Sequence, residues 1–315
     1  MSITVVRRLY QYAAAFLGLQ LCATGLRGLL TQLLEPLFAT AAIGAASTDA
    51  FRLSLNIALL LVGLPLWALH WWLVQRAAHA HDEQHARLRR LYAYLTLGVA
   101  AIACLIGLSA LLGALLGGLL WSGADTRAAG STGALLVYGA IWLYHWRVFG
   151  TDRNEVEVTG GSATLRRWYL TVVLSISLFA LALAAIGVVR ELLLATQPAF
   201  GVSPGLRMRA GELLAALLLW LPHQLWWRRL PREATPLRAD ELRSALRQVY
   251  LGLAVTITAV AALGGLAGLL YQALLAGFGG ALWSALLNDQ ADAIATALVA
   301  APLWLFHRAE LAAEA

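Results

Sequence analysis

Eight stretches of this 315-residue chain are apolar for long enough to cross a bilayer, near 10–34, 52–75, 91–120, 132–149, 168–195, 212–230, 249–276 and 291–308. An α-helix needs about 20 such residues to pass the ~30 Å hydrocarbon core. Inside lipid every backbone polar group must be paired within the spanning structure, which leaves helices or closed barrels. Barrel strands would alternate polar and apolar residues in segments of about ten, and none of these stretches does so. Composition agrees, because 60% of residues are hydrophobic and 13% charged, whereas about a quarter are charged in soluble domains. Mean hydropathy is +0.71. The predicted fold is an all-α integral membrane protein, a single membrane domain over 1–315.

The stretches are not independent of one another. Each odd one opens on a variant of one phrase, RRLY at 7–10, RRLY at 89–92, RRWY at 166–169 and RQVY at 247–250. Each even one closes on Trp-x-x-His, as Trp67 and His70, Trp142 and His145, Trp220 and His223, and Trp304 and His307. The expected architecture is therefore eight transmembrane helices as four parallel two-helix repeats, over 7–76, 87–149, 164–229 and 243–309. A glycine fifteen residues after the tyrosine recurs as Gly25, Gly107 and Gly265, with Gly187 displaced in the third copy. Cys22 and Cys104 each follow their tyrosine by twelve residues, which marks them as small packing residues rather than a disulfide framework. The repeat also bears on the N-terminal segment, whose basic start and apolar run look like a signal peptide. Its copies at 89, 166 and 247 lie inside the chain, so the first is expected to be a retained helix.

All 23 basic residues are arginine. Placing the N-terminus, the even-to-odd connections and the C-terminus on one side gives that side 17 arginines against 6 on the other. Short loops rich in arginine stay in the cytoplasm, so both termini are expected there, and all four repeats would point the same way. Of the connections, 151–167 carries a Gly-Gly pair between short alternating runs and is predicted to form a β-hairpin. The mixed-charge link 228–248 is predicted to begin a helix near Ala239. No phosphate-binding loop, dinucleotide fingerprint or zinc-protease motif is present.

The two recurring motifs each admit a structural and a chemical reading. Trp67, Trp142, Trp220 and Trp304, with Tyr10, Tyr92, Tyr169 and Tyr250, have the composition of interface anchors at headgroup level. Residues three apart on a helix share a face, so His70, His145, His223 and His307 sit beside those tryptophans and can meet water, lipid phosphate or unsatisfied carbonyls. The alternative is ligation, with haem as the candidate cofactor, because imidazole is a common axial ligand and parallel repeats would bring four of them to one depth. No cofactor and no metal is otherwise expected. The arginine three before each tyrosine is expected to bond the neighbouring hairpin or a lipid phosphate, and the Arg-Arg-x-Tyr end to touch the Trp-x-x-His end of the same hairpin.

Charges at mid-depth, the markers of proton relays, are missing. Arg27, Arg52, Arg190, Glu191 and Glu212 fall near helix ends. Gln20, Asn56, Ser175, Ser177, Thr256 and Thr258 are expected to bond neighbouring helices or their own backbone.

With the repeated Arg-Arg-x-Tyr opening and Pro-Leu-Trp-x-x-His closing, best seen in RRLYQY and VGLPLWALHWWLVQR, the chain resembles a bacterial multi-pass membrane domain of unknown function. The resemblance implies a bacterial plasma-membrane protein and brings no activity, cofactor or catalytic residue with it. The expected role is a non-enzymatic scaffold, accessory subunit or sensor in a membrane assembly. The alternative is a transporter or channel with its path between the four hairpins. Expected partners are the bilayer, its anionic headgroups at the cytoplasmic face and other membrane proteins, with no nucleic acid.

Overall fold

A computed structural model describes residues 3–38, 49–77, 86–117, 127–155, 160–196, 203–231, 238–280 and 289–314. Among them the regular elements are all helices: α1 (Ile3–Phe38), α2 (Asp49–Ala77), α3 (Arg87–Gly117), α4 (Arg127–Glu155), α5 (Gly160–Ala195), α6 (Pro204–Arg229), α7 (Arg238–Leu242), α8 (Ala245–Gly277) and α9 (Ala291–Glu314). The described part of each predicted apolar run corresponds to one long helix, whose ends differ from the prediction by up to eight residues, while 118–120 lie outside the described residues. Among the described residues five helices are long and apolar enough to cross a membrane by length and composition, namely α1, α2, α3, α5 and α8.

Only 22% to 39% of the most apolar window in each of the five is buried. Side chains such as Leu61, Phe179, Val260 and Leu263 stand mostly exposed. A protein in water rarely shows apolar faces of that extent, whereas lipid is their natural solvent.

The recurring glycines mark where paired helices cross. A Cβ at Gly25 of α1 would lie 2.6 Å from the Asn56 carbonyl oxygen of α2, and one at Gly265 of α8 would lie 2.6 Å from that of Ala293 in α9. At Gly107 of α3 the nearest atom is the Ser131 carbonyl oxygen of α4, at 3.1 Å. Asn56, Ser131 and Ala293 each stand fourteen residues before their hairpin's histidine. Gly187 of α5 meets Arg209, which holds the same place before His223. A missing side chain thus lets backbones approach, which is how small residues drive helix packing in lipid.

Two sequence expectations meet the structure at the connections. The β-hairpin at 151–167 is corrected, because 151–155 continue α4 and 160–167 open α5, while 156–159 lie outside the described residues. Once a helix is nucleated each added residue gains a hydrogen bond, so α4 propagates past its apolar run. The link at 228–248 does begin a helix, α7, at Arg238. The chain clusters into two compact units, one of Met1–Leu111 with Leu119–Val173, the other of Leu112–Gly118 with Leu174–Ala315.

Candidate functional site

The four recurring histidines share one local geometry. Nδ1 of His70, His145, His223 and His307 lies 2.8 Å from the carbonyl oxygen four residues earlier, of Leu66, Ile141, Leu219 and Leu303 respectively. A carbonyl only accepts, so Nδ1 carries the hydrogen, and in the neutral ring the lone pair is left on Nε2. All four rings are buried.

In the first unit that lone pair faces a tyrosine of the same hairpin. His70 Nε2 is 3.2 Å from the Tyr10 hydroxyl, with the rings edge to face. His145 Nε2 is 3.1 Å from the Tyr92 hydroxyl. The phenol donates to the imidazole, closing the odd helix onto the even one. The expected contact between the two motif ends is therefore made by histidine. Trp142 is turned elsewhere and stacks on Trp146 at 4.9 Å.

Around Tyr92 the first unit builds an aromatic cluster. Trp71 stacks on Tyr92 with centroids 5.2 Å apart and donates its indole N–H to the Tyr144 hydroxyl at 2.7 Å. Phe149 lies 6.4 Å from Tyr92. Arg89, buried, places its guanidinium 5.1 Å from the centre of the Phe149 ring and donates to Gln75 of the preceding hairpin at 3.2 Å. An arginine three before a tyrosine does reach the neighbouring hairpin here.

In the second unit the corresponding arginine is Arg247. It is buried, it sits 3.4 Å from the centre of the Trp227 ring, and its Nη1 donates to the Trp227 carbonyl at 3.0 Å. Its Nε donates to both carboxylate oxygens of Glu314, at 2.9 and 2.8 Å, and Nη2 bonds the same carboxylate. Arg228 pairs with Glu310 at 2.6 Å, which ties α6 to α9. Arg190 reaches Glu191 at 2.8 Å and Asp292 at 3.0 Å. These links were not visible as motifs. The usable signal was two carboxylates one turn apart, Glu310 and Glu314, on the last helix opposite an arginine-rich link.

The tyrosines and tryptophans expected as interface anchors divide by burial. Tyr10 is 63% exposed, whereas Tyr92, Tyr169 and Tyr250 are buried, as is Trp220. Trp67, Trp142 and Trp304 are half-buried. Tyr10 alone among the four tyrosines has the exposure that a headgroup contact needs. Tyr169 packs beside Tyr94, with centroids 5.5 Å apart. Mid-helix hydroxyls turn back on their own helices, as Thr258 does to Ala254 at 2.6 Å and Ser177 to Leu174 at 3.3 Å.

Between α3 and the start of α5 lies a groove of about 230 Å³, lined by Leu91, Tyr94, Gly98, Ile102, Trp168 and Val172 among others. Its walls are almost wholly apolar, which suits a hydrocarbon chain better than a polar solute. Among the described residues no group of three or more His, Cys, Asp or Glu is placed to hold a metal ion.

The Tyr92–His145 bond makes a prediction. Tyr92→Phe and His145→Phe are each expected to lower stability in mixed-micelle unfolding, and the pair together to cost about 1 kcal/mol less than the two losses added. Simple additivity would show that the two side chains do not interact.

A helical chain whose long helices keep most of their apolar surface outward fits the class of multi-pass membrane proteins. A family model described as Domain of unknown function (DUF5671) matches residues 8–130 and 195–301. The chain belongs to that family. No curated protein and no solved structure matches it.

Proposed function

We propose that this chain is a non-enzymatic scaffold or accessory subunit of a bacterial plasma-membrane assembly, crossing the bilayer eight times with both termini in the cytoplasm. The observation that carries the reading is the use made of the recurring polar groups. In His70 and His145 both ring nitrogens bond within their own hairpin, one to the backbone and one to tyrosine. Arg89, Arg228 and Arg247 are likewise spent on holding helix to helix. Groups committed in this way fix architecture and leave little for turnover. The apolar groove offers lipid a seat and gives no support to a hydrophilic path.

Orientation rests on the 17 arginines against 6. In a Cys22→Ala, Cys104→Ala background, an impermeant maleimide applied to intact cells is expected to label Asp125→Cys and to spare Glu155→Cys until the membrane is opened. The reverse pattern would overturn the orientation. The scaffold reading is tested by reconstitution into phospholipid vesicles, where ion and small-solute flux is expected to match empty vesicles. Sustained flux above that level would favour the transporter.

A further inference from the structure

The two units carry the same set of positions at the histidine end and fill them differently. In the first unit the set is Trp67, Trp71, Tyr92, Tyr144 and His145. At the same offsets from the recurring tyrosine and histidines, the second unit has Trp220, Gln224, Tyr250, Phe306 and His307. Part of the packing is common to both. Trp67 meets Tyr144 edge to face at 6.4 Å, and Trp220 meets Phe306 in the same way at 5.8 Å.

Two substitutions break the polar network. Gln224 stands where Trp71 stacks on Tyr92, and Phe306 lacks the hydroxyl that receives the Trp71 N–H in the first unit. The Tyr250 and His307 rings remain neighbours, edge to face with centroids 6.1 Å apart, but are not hydrogen-bonded to each other. Five buried polar atoms of this set meet no hydrogen-bond partner within the protein: Trp220 Nε1, which lies towards the Tyr250 hydroxyl and whose counterpart Trp67 Nε1 is unpaired in the first unit too, Gln224 Oε1 and Nε2, Tyr250 Oη and His307 Nε2. None of the four side chains is more than 8% exposed. Buried polar groups left unpaired are costly, and native proteins satisfy them with ordered water where several converge.

The chemistry of the five atoms is mixed. The Trp220 indole only donates. His307 Nε2 accepts in the neutral ring, because Nδ1 gives its hydrogen to Leu303 at 2.8 Å. Tyr250 does either, and the Gln224 amide does both. Water, with two hydrogens to give and two lone pairs, matches such a set, whereas an anion or a cation would leave one kind unmet. We propose that the second unit encloses an internal hydration site, in which ordered water is held by Trp220, Gln224, Tyr250 and His307. The first unit, closed by Trp71 and the direct Tyr92–His145 bond, leaves only Trp67 Nε1 of the corresponding set unpaired and is expected to hold less water there.

Radiolytic footprinting tests this with an internal control, because hydroxyl radicals formed from bound water oxidise the side chains beside it even when these are buried. In the full chain in detergent, mass spectrometry is expected to find Tyr250 and Trp220 oxidised several-fold faster than Tyr92 and Trp71, which are similarly buried. Equal, slow oxidation of both pairs in the wild-type chain would overturn the proposal without any variant. Gln224→Leu, or Gln224→Trp if the leucine variant does not fold, is expected to bring Tyr250 down towards the rate of Tyr92. An unchanged Tyr250 rate in the folded variant would remove Gln224, and with it the site as drawn.

Discussion

Glu314→Gln is expected to destabilise the second unit by about 3–5 kcal/mol, since removing one partner of a buried ion pair strands the other charge. Arg247 is 4% exposed and Glu314 11%, so water screens the pair only weakly. Three donor atoms of the arginine reach either that carboxylate or the Trp227 carbonyl, and its cation lies against the Trp227 ring. Replacing both partners at once, Arg247→Met with Glu314→Leu, is expected to recover most of the loss, because no charge is then left buried. The comparison is made by reversible unfolding in mixed micelles. A loss below about 1 kcal/mol for Glu314→Gln would mean the pair behaves as an exposed one.

Neighbouring glycines in α8 supply the second large effect, with opposite signs expected one residue apart. A Cβ at Gly265 would lie 2.6 Å from the Ala293 carbonyl oxygen and 2.9 Å from the Ala297 nitrogen, both backbone atoms of α9 that cannot swing aside. Gly265→Ala must therefore part the helices, at a cost in the ~1–3 kcal/mol range of overpacking or beyond it. A Cβ at Gly264 would meet nothing within 4 Å. Gly264→Ala is expected to be neutral or to stabilise by up to about 1 kcal/mol, because alanine favours helix over glycine. Equal effects at the two sites would refute close approach as the reason for Gly265. The same unfolding assay reads both.

Gly265 also shows what was legible beforehand. Its spacing from Tyr250, matched by Gly25 and Gly107, marked a recurring close approach, and all three face the same register of their partner helix. The contact between motif ends was legible for a similar reason, since Tyr10 and His70 belong to one hairpin and a short connection keeps its ends together. Lateral packing was not. Trp71 on Tyr92 and Arg89 on Gln75 join different hairpins, and no spacing along the chain encodes which hairpins adjoin. Burial of Arg89, Arg90, Arg166 and Arg247 was missed because arginine near a helix start reads first as a topology signal. Arg247 finds its carboxylate 67 residues away, on the last helix. The β-hairpin at 151–167 failed because local alternation and a Gly-Gly pair carried less weight than the continuation of α4 and the start of α5.

The central claim is that His70 and His145 lock their own hairpins through tyrosine, and we propose that none of the four recurring histidines ligates. Nitrogen NMR of the chain labelled with ¹⁵N-histidine tests it most directly, with signals assigned by single substitution of His70, His145, His223 and His307. The account predicts that each of the four carries its hydrogen on Nδ1, and that Nε2 of His70 and His145 shows the shift of a hydrogen-bond acceptor that moves in Tyr10→Phe and Tyr92→Phe respectively. Hydrogen on Nε2, or the displaced or paramagnetically broadened signal of a metal-bound nitrogen, would contradict it.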